Sequence, residues 1–319
     1  MDVYSGYIKD DSKLVSSASG GVATALSEKI IEHGGVVFGV AYTQDYRGAE
    51  YICAESLSDL NKMKGSKYIE TKKNISLILD KLQERREVLF FGLGCDVAAV
   101  RALVKKEKIE DSKLFTVDIL CHGPSSEDVL KGFVADLERK YRSRIINLSM
   151  RYKKEGWTPS YVRAEFENNK VYEELFEYTD FGYAFSTYAL PRCTSCKFKG
   201  ENHQGDICIG DYWGITQKMS GYNKNGVSVI IVQTLKGEEL LSILDDDFIM
   251  QKADYDLALR NNPMYVKSRM QGSDYELYKA LDKKESLYSA LNQLTGYRVW
   301  KKSVGKIKIK RKVLNHIRK

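Results

Sequence analysis

The sequence predicts an α/β fold with α+β elements: a parallel or mixed sheet with flanking helices, an inserted hairpin and a cysteine-rich loop. Three observations lead there. EVLFFGLGCDVAAVRALVKKE and KLFTVDILCHGPSSEDVLKGFVADLERKY each read as strand, turn and helix, and consecutive units of that kind favour parallel or mixed pairing. SYVRAEFENNKVYEELF reads as two alternating runs joined at Asn168–Asn169, the pattern of a hairpin. PRCTSCKFKGENHQGDICIGDYWG then gathers Cys193, Cys196 and Cys208, three of six cysteines, into one glycine-rich loop.

The remaining elements follow in order. SGGVATALSEKIIEHGG predicts a helix with Val22, Ala25, Leu26 and Ile30 on one face, ended by Gly34–Gly35. VVFGVAY predicts a strand, and Ile75, Ile78, Leu79 and Leu82 have helical spacing between Asn74 and Glu84. Ser125 or Ser126 suits the N-cap of the helix in the second unit. After the cysteine loop, VSVIIVQT predicts a buried strand and KGEELLSIL a helix, and the Tyr- and Lys-rich remainder is mostly helical. There is no internal repeat and no low-complexity linker.

A chain of 319 residues suffices for one large domain or two closely packed ones. Its 43% apolar and 29% charged residues are those of a globular protein. No stretch approaches the ~18 consecutive apolar residues of a membrane helix. The start, MDVYSGYIKDDSK, lacks the pattern of a secretory signal. Six cysteines are too sparse for a disulfide scaffold, so a reducing cytoplasm and metal or redox chemistry are expected. The net charge of +7 resides in the tail: from Lys301 onward there are nine Lys/Arg and no acid, and without them the chain carries −2. A nucleic-acid-binding body is therefore not indicated.

A Cys-x-x-Cys serves as a redox disulfide, half of a zinc site or part of an iron–sulfur site. Cys193 and Cys196 form such a pair. Cys95 and Cys121 each follow a strand, at the carboxyl ends where open α/β sheets place ligands, so four thiols have a route to one site. Cys208 is a fifth candidate, and the plain alternative for Cys95 and Cys121 is that of small buried hydrophobes. Zinc normally takes a second close pair, which is absent; an iron–sulfur site tolerates scattered ligands better. SSASGGVAT sets Ser19, Gly20, Gly21 and Thr24 at a helix start able to face a phosphate, or simply a turn. Ser66–Lys67 offers a further contact for an anion, against the commoner solvated lysine. Adjacent Cys121–His122 is a poor nucleophile–base pair with no orienting partner in view, and His203 is expected at the surface.

Taken together, these stretches resemble the coenzyme F420 hydrogenase/dehydrogenase beta subunit family. The likeness lies in ordered blocks between Ser16 and Thr234: SSASGGVATAL with HGGVVFGVAY, MKGSKYIET, VLFFGLGCDVAAVRAL, FTVDILCHGPSS, RYKKEGW, and LPRCTSCKFKGENHQGDICIGDYWGI with GVSVIIVQT. The resemblance implies FAD and a 4Fe-4S cluster exchanging electrons. It matches Cys95, Cys121, Cys193 and Cys196 to the recurring cysteines, ranks Cys208 fifth, and sets Ser19, Gly20, Gly21, Thr24, Ser66, Lys67 and Gly92 beside the flavin. It further divides the chain into a flavin-side region at 1–86, an iron–sulfur and flavin region at 87–250, and a helical extension with the basic tail at 251–319. Two local departures are Gly-Leu-Gly before Cys95, where Thr-Pro is usual, and a turn after Cys121 that is one residue short. Many relatives carry an N-terminal ferredoxin-like module; here a ferredoxin-like donor or acceptor is expected on a separate chain.

The expected function is an oxidoreductase passing electrons between the cluster and FAD, to reduce or oxidise a small organic or deazaflavin-like substrate. Some relatives accompany polysaccharide-assembly genes. The rival readings are a non-catalytic, metal-stapled scaffold in a glycan-assembly or redox complex, and a thiol oxidoreductase using Cys193 and Cys196. In the tail, Val304, Ile307, Leu314 and Ile317 fall near one helical face among lysines. That suits a helix lying on an anionic membrane surface or docking an acidic partner, a solvated or partly packed terminal helix, or, through Lys-Ile-Lys-Ile-Lys, a short edge strand.

Overall fold

The two strand–turn–helix units pair in parallel at the centre of a mixed sheet. A computed structural model describes residues 2–244, 247–270, 274–281 and 284–317. Its strands are β1 (Val3–Ile8), β2 (Val36–Tyr42), β3 (Ala49–Ala54), β4 (Val88–Leu93), β5 (Leu114–Ile119), β6 (Ile145–Tyr152), β7 (Tyr161–Phe166), β8 (Val171–Leu175), β9 (Ile207–Asp211), β10 (Ser228–Val232) and β11 (Phe248–Lys252). The large sheet runs β11-β1-β10-β9-β5-β4-β2-β3, and β6-β7-β8 form a second sheet. Pairs β2–β4, β4–β5 and β5–β9 are parallel, while β1–β10, β1–β11, β9–β10 and β2–β3 are antiparallel.

The run VLFF in β4 and the strand SVIIV in β10 are buried throughout, because helices cover both faces of the sheet. On one face Leu26 and Ile30 of the helix Val22–Glu32 pack with Leu89, Phe115, Ile207 and Ile230. On the other, Val97, Val100 and Val104 of the helix Gly94–Lys106 pack with Phe38, Phe90 and Leu114. Residues from 1–86 and from 87–250 interleave in this sheet, since β1 lies against β10 and β2 against β4.

Most local expectations correspond to elements in the structure, and the differences have physical reasons. The helix expected over Asn74–Glu84 forms only at Leu77–Gln83. Before it, Lys72 bonds the backbone of Ala49 and Tyr51, at 2.9 and 3.2 Å, which holds the chain extended along β3. The hairpin forms as β7–β8, with Asn169 at φ 62° in its turn, and β6 adds a third strand. The cysteine-rich stretch is not all loop: its ICIGD end becomes β9, parallel to β5.

The tail forms one helix, Thr295–Ile317, rather than an edge strand. Val304 is buried, Ile307 is exposed, and the side chains of Leu314 and Ile317 lie outside the described ones. Lys301 pairs with Asp180 and Lys308 with Glu174, so part of the basic face is spent on intramolecular docking. Tyr297 is fully buried against Tyr183, Tyr288 and Trp300 and donates from its hydroxyl to Asp180 at 2.8 Å. Among the described residues no helix is long and apolar enough to cross a membrane. Tyr297→Ala empties this aromatic cluster and is expected to cost about 3–5 kcal/mol, the range for large aromatic truncations in a core. Equilibrium urea unfolding measures it; an unchanged transition midpoint would show that the helix is not held through this ring.

Candidate functional site

Parallel pairing sets the carboxyl ends of β4, β5 and β9 side by side, with Gly92 opposite Asp118 and Asp118 opposite Cys208. Cys95 lies in the first turn of the helix that leaves β4, where the helix dipole favours a thiolate. Cys121 lies just beyond β5, and Cys193 sits in the single turn Pro191–Thr194, three residues before Cys196. All four thiols are half-buried. They feel one another electrostatically: Cys95 with Cys193 and Cys196, Cys121 with Cys193 and Cys95, and Cys193 with Cys196. The two sheet ends and the Cys-x-x-Cys turn thus converge.

One glycine makes the convergence possible. Gly123 has φ +103°, and a Cβ there would sit 3.3 Å from the Cβ of Cys193 and 3.6 Å from its sulfur. Its N–H donates to Cys121 Sγ at 3.1 Å, and Ser268 accepts from the Cys196 N–H at 3.0 Å. Lys199 ties the turn down by donating to the carbonyls of Cys121 and Met264, both at 2.6 Å. Arg269 bonds the Gly123 and Phe185 carbonyls, and Arg192 pairs with Glu70 at 2.8 Å. Burial pushes the thiols up, Cys95 to about 11 and Cys121 to about 12, against the pull of Lys73 on the first and of the Gly123 N–H and Lys199 on the second.

The spacing of the sulfurs bears on the metal. A tetrahedral zinc with Zn–S of about 2.3 Å holds its sulfurs about 3.8 Å apart. Among the described residues, no three of these four thiols lie within 4.8 Å of one another. As they stand, the four sulfurs do not close to the spacing of a single tetrahedral zinc.

At the same edge of the sheet, the Ser19 turn packs on β9 and β10. Ser19 Oγ donates to Val227 O at 2.9 Å, Gly20 N–H donates to Ser228 Oγ at 3.0 Å, and Thr24 shares a 2.8 Å hydrogen bond with Ser17. The helix Val22–Glu32 starts at Gly21 with φ 81° and no side-chain cap, leaving its positive end for another acceptor. A Cβ on Gly21 would meet Ile8 at 2.6 Å, so a substitution there perturbs the fold as well as any ligand. Lys67 is buried, and its ammonium donates to Met63, Lys64 and Gly65 carbonyls at 2.7, 2.8 and 3.1 Å, which uses all three of its protons within its own loop. Burial brings its pKa down to about 7. Ser66 is half-buried beside it, and Gly92 is wedged between the Phe90 ring and Asp96.

Several residues of this edge have no local signature, although RYKKEGW is among the blocks of the family pattern. Arg151 pairs with Asp211 and donates to Tyr68 Oη at 3.4 Å, which joins the Ser66–Lys67 loop to β9. Its guanidinium lies over exposed Trp213, which stacks on Trp157 at 4.8 Å. Lys153 donates to Leu14 O and Ser19 O, both at 2.7 Å, and burial brings its pKa down to about 7.

His203 is not at the surface. It is buried, its Nδ1 2.8 Å from Asp118 Oδ2, its Nε2 3.1 Å from Tyr265 O, and its ring stacked on Tyr265 at 4.6 Å. The loop that bears it folds back under β5, a contact across 85 positions that no local pattern announces. Cys208 lies fully buried beside this histidine, at 3.7 Å from Nδ1. The His122 ring lies tilted against Phe185, 5.2 Å between centroids, with its Nδ1 buried and without a partner among the described residues, and burial brings its pKa down to about 4.

Fold and site define an α/β protein that gathers thiols and cations at the carboxyl ends of parallel strands. The chain belongs to the coenzyme F420 hydrogenase/dehydrogenase beta subunit family, an oxidoreductase family: the N-terminal part of the beta subunit matches residues 3–78, and its C terminus matches residues 85–256. A chain of the F420-reducing NiFe hydrogenase complex from Methanosarcina barkeri is similar in structure, with a TM-score of 0.57 and 20% identity, covering 83% of this chain and 89% of that one. At that identity the likeness speaks for the fold. No curated protein matches the chain.

Lys153→Met removes the donor shared by two part-buried carbonyls and is expected to cost about 1–3 kcal/mol. Because Lys153 is held near pKa 7 in the folded state but titrates near its ordinary value of 10.5 when unfolded, the unfolded chain binds the extra proton between those values. The stability gap between wild type and Lys153→Met should accordingly widen as pH rises from about 7 toward about 10; a flat gap in denaturant titrations would contradict this burial.

Proposed function

We propose that this chain is an iron–sulfur flavoprotein in which Cys95, Cys121, Cys193 and Cys196 hold a 4Fe-4S cluster, with FAD along the neighbouring Ser19 edge. The observation that carries this reading is the quartet itself: thiols from three separate segments that feel one another's charge at the carboxyl ends of parallel strands. Lys199, Arg269 and Arg192 act on the thiols and would offset the negative charge of a thiolate-bound cluster, and the Gly123 N–H would support Cys121.

For the flavin, Ser19, Gly20, Gly21 and Thr24 would present the uncapped helix start to a phosphate, with Ser66 as a further contact. Lys67 and Gly92 shape the walls, since the first has spent its donors and the second has no room for a side chain. Arg151 adds positive charge, and Trp213 offers an aromatic face. When bound, the two cofactors would relate single-electron exchange with a partner to two-electron chemistry on a small organic or deazaflavin-like substrate. The structural neighbour is a chain of a multi-subunit complex, which suits an electron partner on another chain; its ferredoxin-like character rests on the family resemblance. Cytoplasmic residence and a setting in polysaccharide assembly rest on the sequence pattern and family likeness.

Anaerobically purified protein is expected to be brown-yellow, with about four iron and four sulfide per chain and bound flavin. Cys95→Ser, Cys121→Ser, Cys193→Ser and Cys196→Ser should each lose most of the iron, because a hydroxyl is a poor substitute for a soft thiolate. Cys208→Ser should keep it. Colourless wild-type protein, or iron that survives Cys95→Ser and leaves with Cys208→Ser, would sink the assignment.

Flavin and cluster are separable through Thr24. An acid in the first turn suits a helix dipole, so Thr24→Asp is expected to fold, while its charge repels a flavin phosphate. Flavin affinity should fall at least about tenfold, which corresponds to about 1.4 kcal/mol, with iron unchanged. Equal flavin retention in the variant would remove this helix start from the site.

A further inference from the structure

Beneath the quartet lies a second group of metal-ligating side chains that the proposed cofactors leave unused. Asp118 and Cys208 are direct register partners on the parallel strands β5 and β9, so their side chains emerge side by side. His203 arrives from the turn Gly200–Asn202 and sets Nδ1 against both. A carboxylate oxygen, an imidazole nitrogen and a sulfur thus lie within 4.8 Å of one another, and all three residues are buried. The electrostatic partners of Cys208 are Asp118 and Lys199, not the four thiols of the quartet.

With a neutral imidazole the hydrogen-bond count does not close. Nε2 faces the Tyr265 carbonyl at 3.1 Å and Nδ1 faces the Asp118 carboxylate at 2.8 Å. A neutral imidazole has one proton for these two acceptors. Asp118 Oδ1 is fully buried with no hydrogen-bond partner among the described residues, an arrangement that costs free energy and calls for a missing cation, water or proton. A cation at this point resolves both deficits. Nε2–H then donates to Tyr265 O, the backbone-carbonyl contact that metal-bound histidines favour, and the stacked Tyr265 ring fixes the plane.

We propose that Asp118, His203 and Cys208 form a second, mononuclear metal site for a borderline divalent cation of the Zn2+ type. Tetrahedral zinc places its sulfur and nitrogen ligands about 3.6 Å apart, and Cys208 Sγ and His203 Nδ1 are 3.7 Å apart. The carboxylate oxygen has to swing away from Nδ1 by roughly half an ångström to reach a coordinating position. Binding replaces the Cys208 S–H bond by a metal–sulfur bond and releases that proton to solvent. A dication with one thiolate, one carboxylate and one neutral imidazole is then uncharged overall, which suits its burial. Three side chains leave one position for a water. The site links β5, β9 and the loop of Cys196, and it stands whether or not the quartet holds a cluster.

The test uses anaerobically purified full-length protein, with its iron–sulfur site reconstituted, dialysed against Zn2+ and then against metal-free buffer. One zinc per chain is expected, and zinc-edge X-ray absorption should show one sulfur among nitrogen and oxygen neighbours. His203→Gln and Cys208→Ser should each weaken zinc retention by at least about tenfold, the lower bound for losing even a supporting contact at such sites. An all-sulfur shell would place the zinc in the quartet and overturn the proposal, as would wild-type protein that retains no zinc. If both variants fail to fold, the ligand shell of the wild type decides alone.

Discussion

Parallel pairing of β4, β5 and β9 is the constraint on which the rest of the molecule depends. Parallel strands need long crossovers and coverage on both faces, which explains their apolar runs and the helices above and below. The same geometry aligns three carboxyl ends, so the chain leaves the sheet repeatedly at one edge. Cys95 and Cys121 leave with it. The Cys193–Cys196 turn then has to be brought to that edge, and the return of the chain through β9 does so.

Electrostatics at this edge is a balance between burial and cations. Thiols that are pushed up by burial give up their protons only when something positive replaces them. Lys199 serves two ends at once, clamping the carbonyl of Cys121 while its charge lies near the sulfur. Arg269 does the same for the Gly123 turn. Such residues join the local backbone to the chemistry, so loss of one loosens the turn and the field together.

The small sheet β6–β8 has a less obvious task. Its first strand and the residues after it carry Arg151 and Lys153 across to the Ser19 turn and to Asp211. The part-buried amine of Lys153 supplies donors to the Leu14 and Ser19 carbonyls. The helix Glu127–Tyr141 and the terminal helix pack behind that sheet through Phe133 and Tyr297, together with Phe181 of the helix Asp180–Thr187, so the back of the molecule braces its front.

Local pattern determined much of this by itself. The strand–turn–helix units, the Asn168–Asn169 hairpin and the post-strand positions of Cys95 and Cys121 follow from periodicity and turn chemistry, which act over a few residues. Only the tertiary structure decided what meets what. Ser19 and Lys153 touch across 134 positions and His203 and Asp118 across 85, and neither pair has a local signature. The spent donors of Lys67, the extended chain before Leu77 and the incorporation of Cys208 into β9 are likewise outcomes of pairing. A sequence states which side chains are available; whether a histidine lies at the surface or beside a buried thiol depends on where the sheet lets its loop return.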